Sequence, residues 1–312
     1  MSSDNRPTAA QLSLALVVVV WAGAFAAIKA LLDHGTSAQD IAILRYVVAA
    51  PGFAVVLWLE RGLPGLGRGD FLRILAAGVL VVAGYHLSLN VGQRHTTAGT
   101  AALVVALAPS LTLGLSVALG LERLTARRTT GLAVAFAGVA VVILLGAGEE
   151  LSLENARGPL IVLGAPLAFA LYNVLLRPLL GRYGVLSLTA ATSLVGTLAL
   201  LPLARPSTAE GLATMSAGDL ALVLYLGVVC TLLGYVGWNV GLRGLGPTGA
   251  VSYAYGIPPL AVVIGALTLD EPVTAWLVAG GVLVVAGVAL AQRPATRDRT
   301  VQVASGPTLA RD

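Results

Sequence analysis

Long apolar runs alternate with short polar breaks along the whole chain. Ten runs can be drawn: Leu12–Leu32, Asp40–Leu59, Phe71–Val91, Thr97–Leu119, Arg127–Gly146, Gly158–Pro178, Val185–Leu203, Asp219–Gly241, Thr248–Leu269 and Val273–Ala291. The hydrocarbon core of a bilayer takes roughly 20 apolar residues per helix, so each run predicts one membrane-crossing helix. A single run could be the buried helix of a soluble core, but ten in succession cannot all be buried in one. The expected fold is all-α and integral to the membrane. The breaks carry their own signals: a Gly/Pro loop with charges over Arg61–Asp70, a charged turn over Glu122–Arg128, a polar stretch from Glu149 to Pro159, and Asp270-Glu271-Pro272, which stops one helix and starts the next. The first run is long for a signal peptide and lacks a basic leader, and it is expected to be a retained helix.

The chain repeats itself. Trp21-Ala-Gly-Ala-Phe25-Ala-Ala-Ile-Lys29 matches Phe169-Ala-Leu-Tyr172-Asn173-Val-Leu-Leu-Arg177 at an offset of 148, and Asn90-Val-Gly-Gln-Arg94 matches Asn239-Val-Gly-Leu-Arg243 at 149. At 149, Pro109 also meets Pro258, Glu122 meets Glu271, Thr125 meets Thr274, and Ala137-Gly138 meets Ala286-Gly287. Leu/Ala/Val text gives false matches, whereas Asn, Arg, Pro and Glu recurring in order do not. The predicted units are residues 11–146 and 158–291, five helices each, followed by a flexible cytoplasmic tail over 292–312. Five is odd, so the second unit enters the membrane from the opposite face. Inverted repeats around a midplane site are a mark of many secondary transporters.

Composition agrees and adds orientation. Hydrophobic residues make up 57% and charged residues 11%, with a mean hydropathy of +0.89, which leaves too little charge to coat a water-soluble surface. The 37 glycines suit helices packed closely in lipid, and the single Cys230 excludes an intramolecular disulfide framework. With the N-terminus inside, fourteen basic residues fall on the inner side: Arg6, Arg61, Arg68, Arg73, Arg123, Arg127, Arg128, Arg177, Arg182, Arg243, Arg293, Arg297, Arg299 and Arg311. Only Lys29, Arg94, Arg157 and Arg205 fall outside, and Arg45 lies within a helix. That bias places both termini in the cytoplasm and the protein in the cytoplasmic membrane. The basic tail is ordinary cytoplasmic bias, and no nucleic-acid partner is expected.

Several segments resemble the drug/metabolite transporter superfamily, EamA type: Trp21 to Lys29, Leu44-Arg45-Tyr46, Thr97 to Ala102 with Ala108-Pro109, Glu122-Arg-Leu-Thr125, and in the second half Pro247-Thr-Gly-Ala250, Ile257-Pro258, Asp270 to Thr274 and Ala286-Gly287. The resemblance covers about residues 11 to 291. It implies a ten-helix permease, often an exporter of amino acids or other metabolites, with a central cavity lined mainly by helices one, three, four, six, eight and nine.

A charge at the bilayer centre costs at least ~2.5–3.5 kcal/mol, so polar groups inside need a reason. Every Asp and Glu falls at or near a helix end, which leaves a carboxylate relay or an acid-built sodium site unsupported. What remains inside is aromatic and neutral. Trp21 and Phe25 lie on helix one, Tyr85, His86 and Asn90 on helix three, and Tyr172 and Asn173 on helix six. Tyr235, Trp238 and Asn239 lie on helix eight, and Tyr253 and Tyr255 on helix nine. These side chains can hold an apolar or cationic group and orient a polar head, or they can bond neighbouring helices. Trp58 and Trp276, near helix ends, read as an interfacial belt. His86 is either a proton carrier or a hydrogen-bonded structural histidine. Arg45 either captures a substrate carboxylate, or snorkels or bonds carbonyls at its own helix end. Pro109 and Pro258 are expected to kink their helices at matching places. Gly84-x-x-x-Ser88-x-x-x-Gly92 and Gly237-x-x-x-Gly241 are expected to serve close packing.

HExxH, GxSxG and Walker-type Gly-Lys-Ser/Thr are all missing from the sequence, so no metal, cofactor, catalytic residue or ATP drive is expected. The expected function is a secondary transporter, an exporter of small metabolites such as amino acids or drugs by alternating access, and not an enzyme. The alternatives are a membrane-embedded enzyme, for which Glu149, Glu150 and Glu154 would be the only acidic cluster, or a non-transporting membrane partner subunit. Substrate identity, coupling ion and oligomeric state are open at this point.

Overall fold

The computed structural model describes residues 5–146 and 153–292. The tail and the Glu149–Glu150 pair lie outside them, and nothing is described of the Glu154 side chain. Ten helices are long and apolar enough to cross a membrane, and no strand occurs among the described residues. They are α1 (Thr8–Asp33), α2 (Ala38–Leu59), α3 (Arg68–Gln93), α4 (Ala98–Ala118), α5 (Ala126–Leu145), α6 (Ala156–Leu179), α7 (Val185–Leu203), α8 (Ala217–Pro247), α9 (Gly249–Leu269) and α10 (Ala275–Gln292). Every predicted run is matched, with ends shifted by a few residues. Helices are the outcome because hydrocarbon supplies no hydrogen-bond partner, so each segment must satisfy its own backbone. A short helix, Pro206–Thr214, joins α7 to α8 where the apolar runs predict only a connection.

The halves are related by the 149-residue offset in packing as well as in sequence. α1 packs on α8 and α9, as α6 packs on α3 and α4; α2 meets α7, α4 meets α9 and α5 meets α10. The α5–α10 crossing shows the two-fold relation atom by atom. A Cβ at Gly138 would stand 2.7 Å from the Gly280 carbonyl oxygen, and one at Gly287 would stand 2.7 Å from that of Gly131. The second contact is the first one moved by 149 in both members. Five-helix units, each odd in crossings, are thus paired as inverted repeats.

The small-residue stripes do what the spacing predicts. A Cβ at Gly84 would meet Ala168, Gly164 stands against Ser88, and Gly92 stands against Val162, which seats α3 on α6. In the other half Gly237 faces Val17 and Ser13, and Gly241 faces Leu14, which seats α8 on α1. Without a hydrophobic drive between helices in lipid, such close backbone approach supplies the attraction. Large apolar side chains such as Leu198, Leu267 and Val282 face outward, where lipid is the solvent.

Five helices are interrupted: α6 at Leu163, without a counterpart in α1, and four others in matching places. α3 carries a π-helical stretch at Val79–Gly84 and α8 one at Tyr225–Leu233. α4 is split into Ala98–Val105 and Ala108–Ala118, and α9 breaks between Ala254 and Ile257. Pro109 and Pro258 each open the second half-helix after the break, where a missing N–H costs nothing. The prolines therefore follow full interruptions rather than bending continuous helices. The chain reverses between α9 and α10 at Asp270, in the left-handed region at φ 52°. There Glu271 accepts from the Ala98 and Gly99 amides at 2.6 and 3.3 Å, capping α4 with a carboxylate.

Candidate functional site

The interrupted helices surround two linked aromatic groups. The first is built on α1, α2 and α8. Trp21 lies 5.4 Å from Trp238 and edge-on to Tyr235 at 5.8 Å, centroid to centroid, with Phe53 6.3 Å beyond Tyr235. Trp21 Nε1 donates to the Cys230 carbonyl at 2.9 Å. That carbonyl belongs to the π-helical stretch of α8, where the i→i−4 ladder is displaced, and the indole takes up the acceptor.

The second group is built on α2, α3 and α6. Tyr85 stands edge-on to His86 at 4.8 Å and 6.1 Å from Phe169, which stacks on Tyr172 at 5.6 Å. His86 Nε2 and the Tyr46 hydroxyl are 2.9 Å apart, the direction of the bond being set by the tautomer. The Nδ1 atom of His86 is buried without a partner. His86 and Tyr235 are 149 positions apart and so occupy equivalent places, and the Tyr46 hydroxyl also faces that of Tyr235. Tyr46 thus stands between the two repeats.

Arg45 precedes it on α2 and is only 7% exposed. Its position is seven residues from the Ala38 end, roughly 10 Å along the helix axis. It does not snorkel to that end. Its Nε donates to Thr231 Oγ1 at 2.5 Å, and the Thr231 hydroxyl donates in turn to the Leu226 carbonyl at 2.7 Å. Both residues of this relay again belong to the π-helical stretch of α8.

The remaining predicted residues divide. Phe25 is buried, and its carbonyl accepts from Gln93 Nε2 at 3.0 Å. Asn90 Nδ2 donates to the Ala38 carbonyl at 3.0 Å, and Asn239 Nδ2 to the Tyr235 carbonyl of its own helix at 3.3 Å. Asn173 reaches Thr112 at 3.5 Å, between α6 and α4. These amides join helices, or turns of one helix. Tyr255 is half-buried at the α9 interruption and packs on the central core. Among the described residues no ring contact or hydrogen bond ties Tyr253 to either group. Trp58 and Trp276 are exposed, 77% and 45%. Sequence reasoning missed Tyr46, Phe169 and Thr231. The offset that pairs His86 with Tyr235 was the available signal for the first, since both contact it. An open groove of about 610 Å³, lined by Leu57, Trp58, Arg61 and Leu194, lies between α2 and α7, and Leu57 and Leu194 pack on the same cluster as Phe53 and Tyr235.

Ten crossing helices in two inverted halves, with matched interruptions beside a buried aromatic and polar centre, define a membrane carrier. Residues 8–144 and 156–292 each match the EamA-like transporter family, and the chain belongs to that family. It is similar to an uncharacterized transporter of Archaeoglobus fulgidus, 32% identical over 283 residues, 90% of this chain and 97% of the relative. It is also similar to a protein of Streptantibioticus cattleyicolor named "Probable terminal-alkyne amino-acid exporter", 33% identical over 284 residues, 90% of this chain and 92% of the relative. A Salmonella typhimurium protein named "Probable amino-acid metabolite efflux pump" is 26% identical, covering 88% of this chain and 91% of its own. A solved crystal structure, 22% identical, superposes with a TM-score of 0.58 over 92% of this chain and 96% of the other, a likeness of fold.

Proposed function

We propose that the protein exports small metabolites, amino acids and related compounds among them, across the cytoplasmic membrane by alternating access. Its role is transport rather than catalysis. Both termini lie in the cytoplasm, in keeping with the Lys/Arg bias of the connections. Residues 11–146 and 158–291 act as the two moving units. The observation that carries the reading is the matched set of interruptions in α3, α4, α8 and α9 around Trp21, Trp238, Tyr85 and Tyr235. Broken helices within lipid are tolerated where they line a cavity, and carriers place substrate there. The aromatic faces take an apolar side chain, while the hydroxyls orient a polar head. The names of two relatives point to amino-acid-like cargo.

The test is efflux of a radiolabelled amino-acid panel from cells with and without the protein. Faster efflux of some members is expected, together with loss of that gain in Trp238→Ala. Equal rates across the panel at several pH values would remove the reading.

A further inference from the structure

We propose that Arg45 is a binding site for the carboxylate of the transported molecule, so that the cargo is a small carboxylate carrying an apolar group. This deepens the exporter reading and rests on it for the word cargo. The reasoning starts from what surrounds the guanidinium. Arginine offers five N–H donors and stays charged. Here the Nε donor goes to Thr231 Oγ1, and the other four N–H groups take no acceptor among the described residues. No Asp or Glu pairs with Arg45 among those residues either, and the side chain is 7% exposed within a membrane-spanning helix. A buried cation with no counter-charge and one neutral acceptor is unfavourable to keep. A structural arginine at this depth would be expected to bind backbone carbonyls with its fork. This one is held by its Nε edge, which leaves the fork free.

The anchor is made for that purpose. Thr231 accepts from Arg45 while donating to the Leu226 carbonyl, so its hydroxyl is fixed from both sides. A carboxylate meets a guanidinium fork through two parallel charge-assisted hydrogen bonds, the strongest pairing Arg makes. The surroundings match the rest of such a molecule. Tyr46 follows Arg45 on α2, and Tyr235 stands about one turn along α8 from Thr231. Tyr235 in turn touches Trp21, which pairs with Trp238. The apolar group therefore lies over the indoles while its carboxylate meets the fork.

The test uses the full-length protein in phosphatidylcholine nanodiscs, with binding read by tryptophan fluorescence and thermal midpoint. Two matched pairs serve as probes: phenylacetate with phenylacetamide, and L-phenylalanine with L-phenylalaninamide. Each acid is expected to bind the unaltered protein about tenfold or more tightly than its amide, the scale of one charge-assisted pair. Arg45→Gln should abolish that preference, and Arg45→Lys, which keeps the charge but not the fork, should retain part of it. Thr231→Val keeps shape and charge, so it covers the case where Arg45→Gln does not fold. It should weaken the acids several-fold and leave the amides unchanged. Acid and amide bound equally by the unaltered protein, or none of the four bound, would overturn the proposal. So would an Arg45-dependent response raised only by adding phosphatidylglycerol, which would make the anion a lipid headgroup. Arg45-dependent binding of phenylacetate without efflux of any amino acid would keep this subsite and remove the exporter reading. Efflux that Arg45→Lys and Thr231→Val leave untouched would do the reverse.

Discussion

Asp70 and Asp219, 149 positions apart, make the same tie on opposite ends of the molecule. Asp70 opens α3 and holds the loop between α6 and α7 through Arg182 at 2.5 Å and the Tyr183 hydroxyl at 3.2 Å. Asp219 opens α8 and holds the loop between α1 and α2 through His34 Nδ1 at 2.6 Å. Because the repeats are inverted, one tie faces the cytoplasm and the other the outside under the proposed orientation. The partners differ: a permanently charged arginine with a phenol on one side, a histidine on the other.

That difference sets a pH prediction. Burial, and after it donation to Asp70, hold the Tyr183 phenol above its ordinary value. A raised value means its contribution is full below the ordinary phenol range and is lost only as pH rises through the raised one. Arg182 keeps its charge throughout. The Asp70 tie should therefore loosen only toward alkaline pH, whereas hydrogen bonds from His34 and Ser216 hold the Asp219 carboxyl below its ordinary value. A lowered carboxyl contributes fully above the ordinary carboxylate range and loses that contribution as pH falls through the lowered value, so the outer tie loosens toward acid. Backbone hydrogen exchange, corrected for intrinsic rates, should show residues 34–37 losing protection toward acidic pH and residues 180–184 losing it only toward alkaline pH. His34→Ala should remove the dependence. Equal pH response in both loops, or none in either, would contradict the assignment.

The α5–α10 crossing makes a stability prediction. A Cβ at Gly131 would lie 2.5 Å from the Ala291 nitrogen and 2.8 Å from its Cα, backbone atoms that cannot turn away. Gly114 in α4 has nothing within 4 Å of its added Cβ. Gly131→Ala is expected to cost about 1–3 kcal/mol as overpacking. Gly114→Ala should be neutral or stabilising by up to about 1 kcal/mol from helix propensity. Thermal midpoints of the two variants in one detergent decide it.

Hydrophobic runs showed all ten crossings, because length and apolarity alone determine what spans a bilayer. Asn90/Asn239, Pro109/Pro258 and Glu122/Glu271 showed the repeat, because polar residues are rare enough in such text to be counted. The same offset joins Asp70 to Asp219 and His86 to Tyr235, yet their partners are brought in from other helices and carry no local signature. The π-helical stretches were equally silent: Val79–Gly84 and Tyr225–Leu233 read as ordinary apolar helix. Only packing shows that Trp21 and Arg45 lean on the second of them. That the Asn90 and Asn239 amides donate to backbone carbonyls also depends on geometry, since an amide in an apolar run fits a helix contact or a cavity.

Trp21→Phe keeps an aromatic ring against Trp238 and removes one donor. The Cys230 carbonyl then loses its indole partner in a stretch where the helical ladder is already displaced. Losing one such hydrogen bond costs about 0.5–1.5 kcal/mol. The melting temperature should fall, and amide protection should drop over residues 226–233 but not over the equivalent stretch 79–84. A uniform loss across both would mean that Trp21 supports the fold generally.

Trp58 and Trp238 separate belt from site. Both are indoles on spanning helices, but Trp58 is 77% exposed near the end of α2, while Trp238 lies 5.4 Å from Trp21 beside the interruption of α8. An indole at the membrane interface gives up little when truncated, because lipid and headgroups fill its place. An indole that forms the wall of a binding site gives up contact area with the ligand and with its partner ring, and one such aromatic pair alone is worth about 0.5–1.5 kcal/mol. Trp238→Ala should therefore weaken the response to any amino acid that binds by at least several-fold, and Trp58→Ala by less than about twofold. Asn239→Ala should act on thermal stability rather than on the ligand, since its amide returns to the Tyr235 carbonyl. Ligand-dependent thermal shift on the three purified variants measures both effects at once. Equal loss of ligand response in Trp58→Ala and Trp238→Ala would place the binding site elsewhere than beside α8.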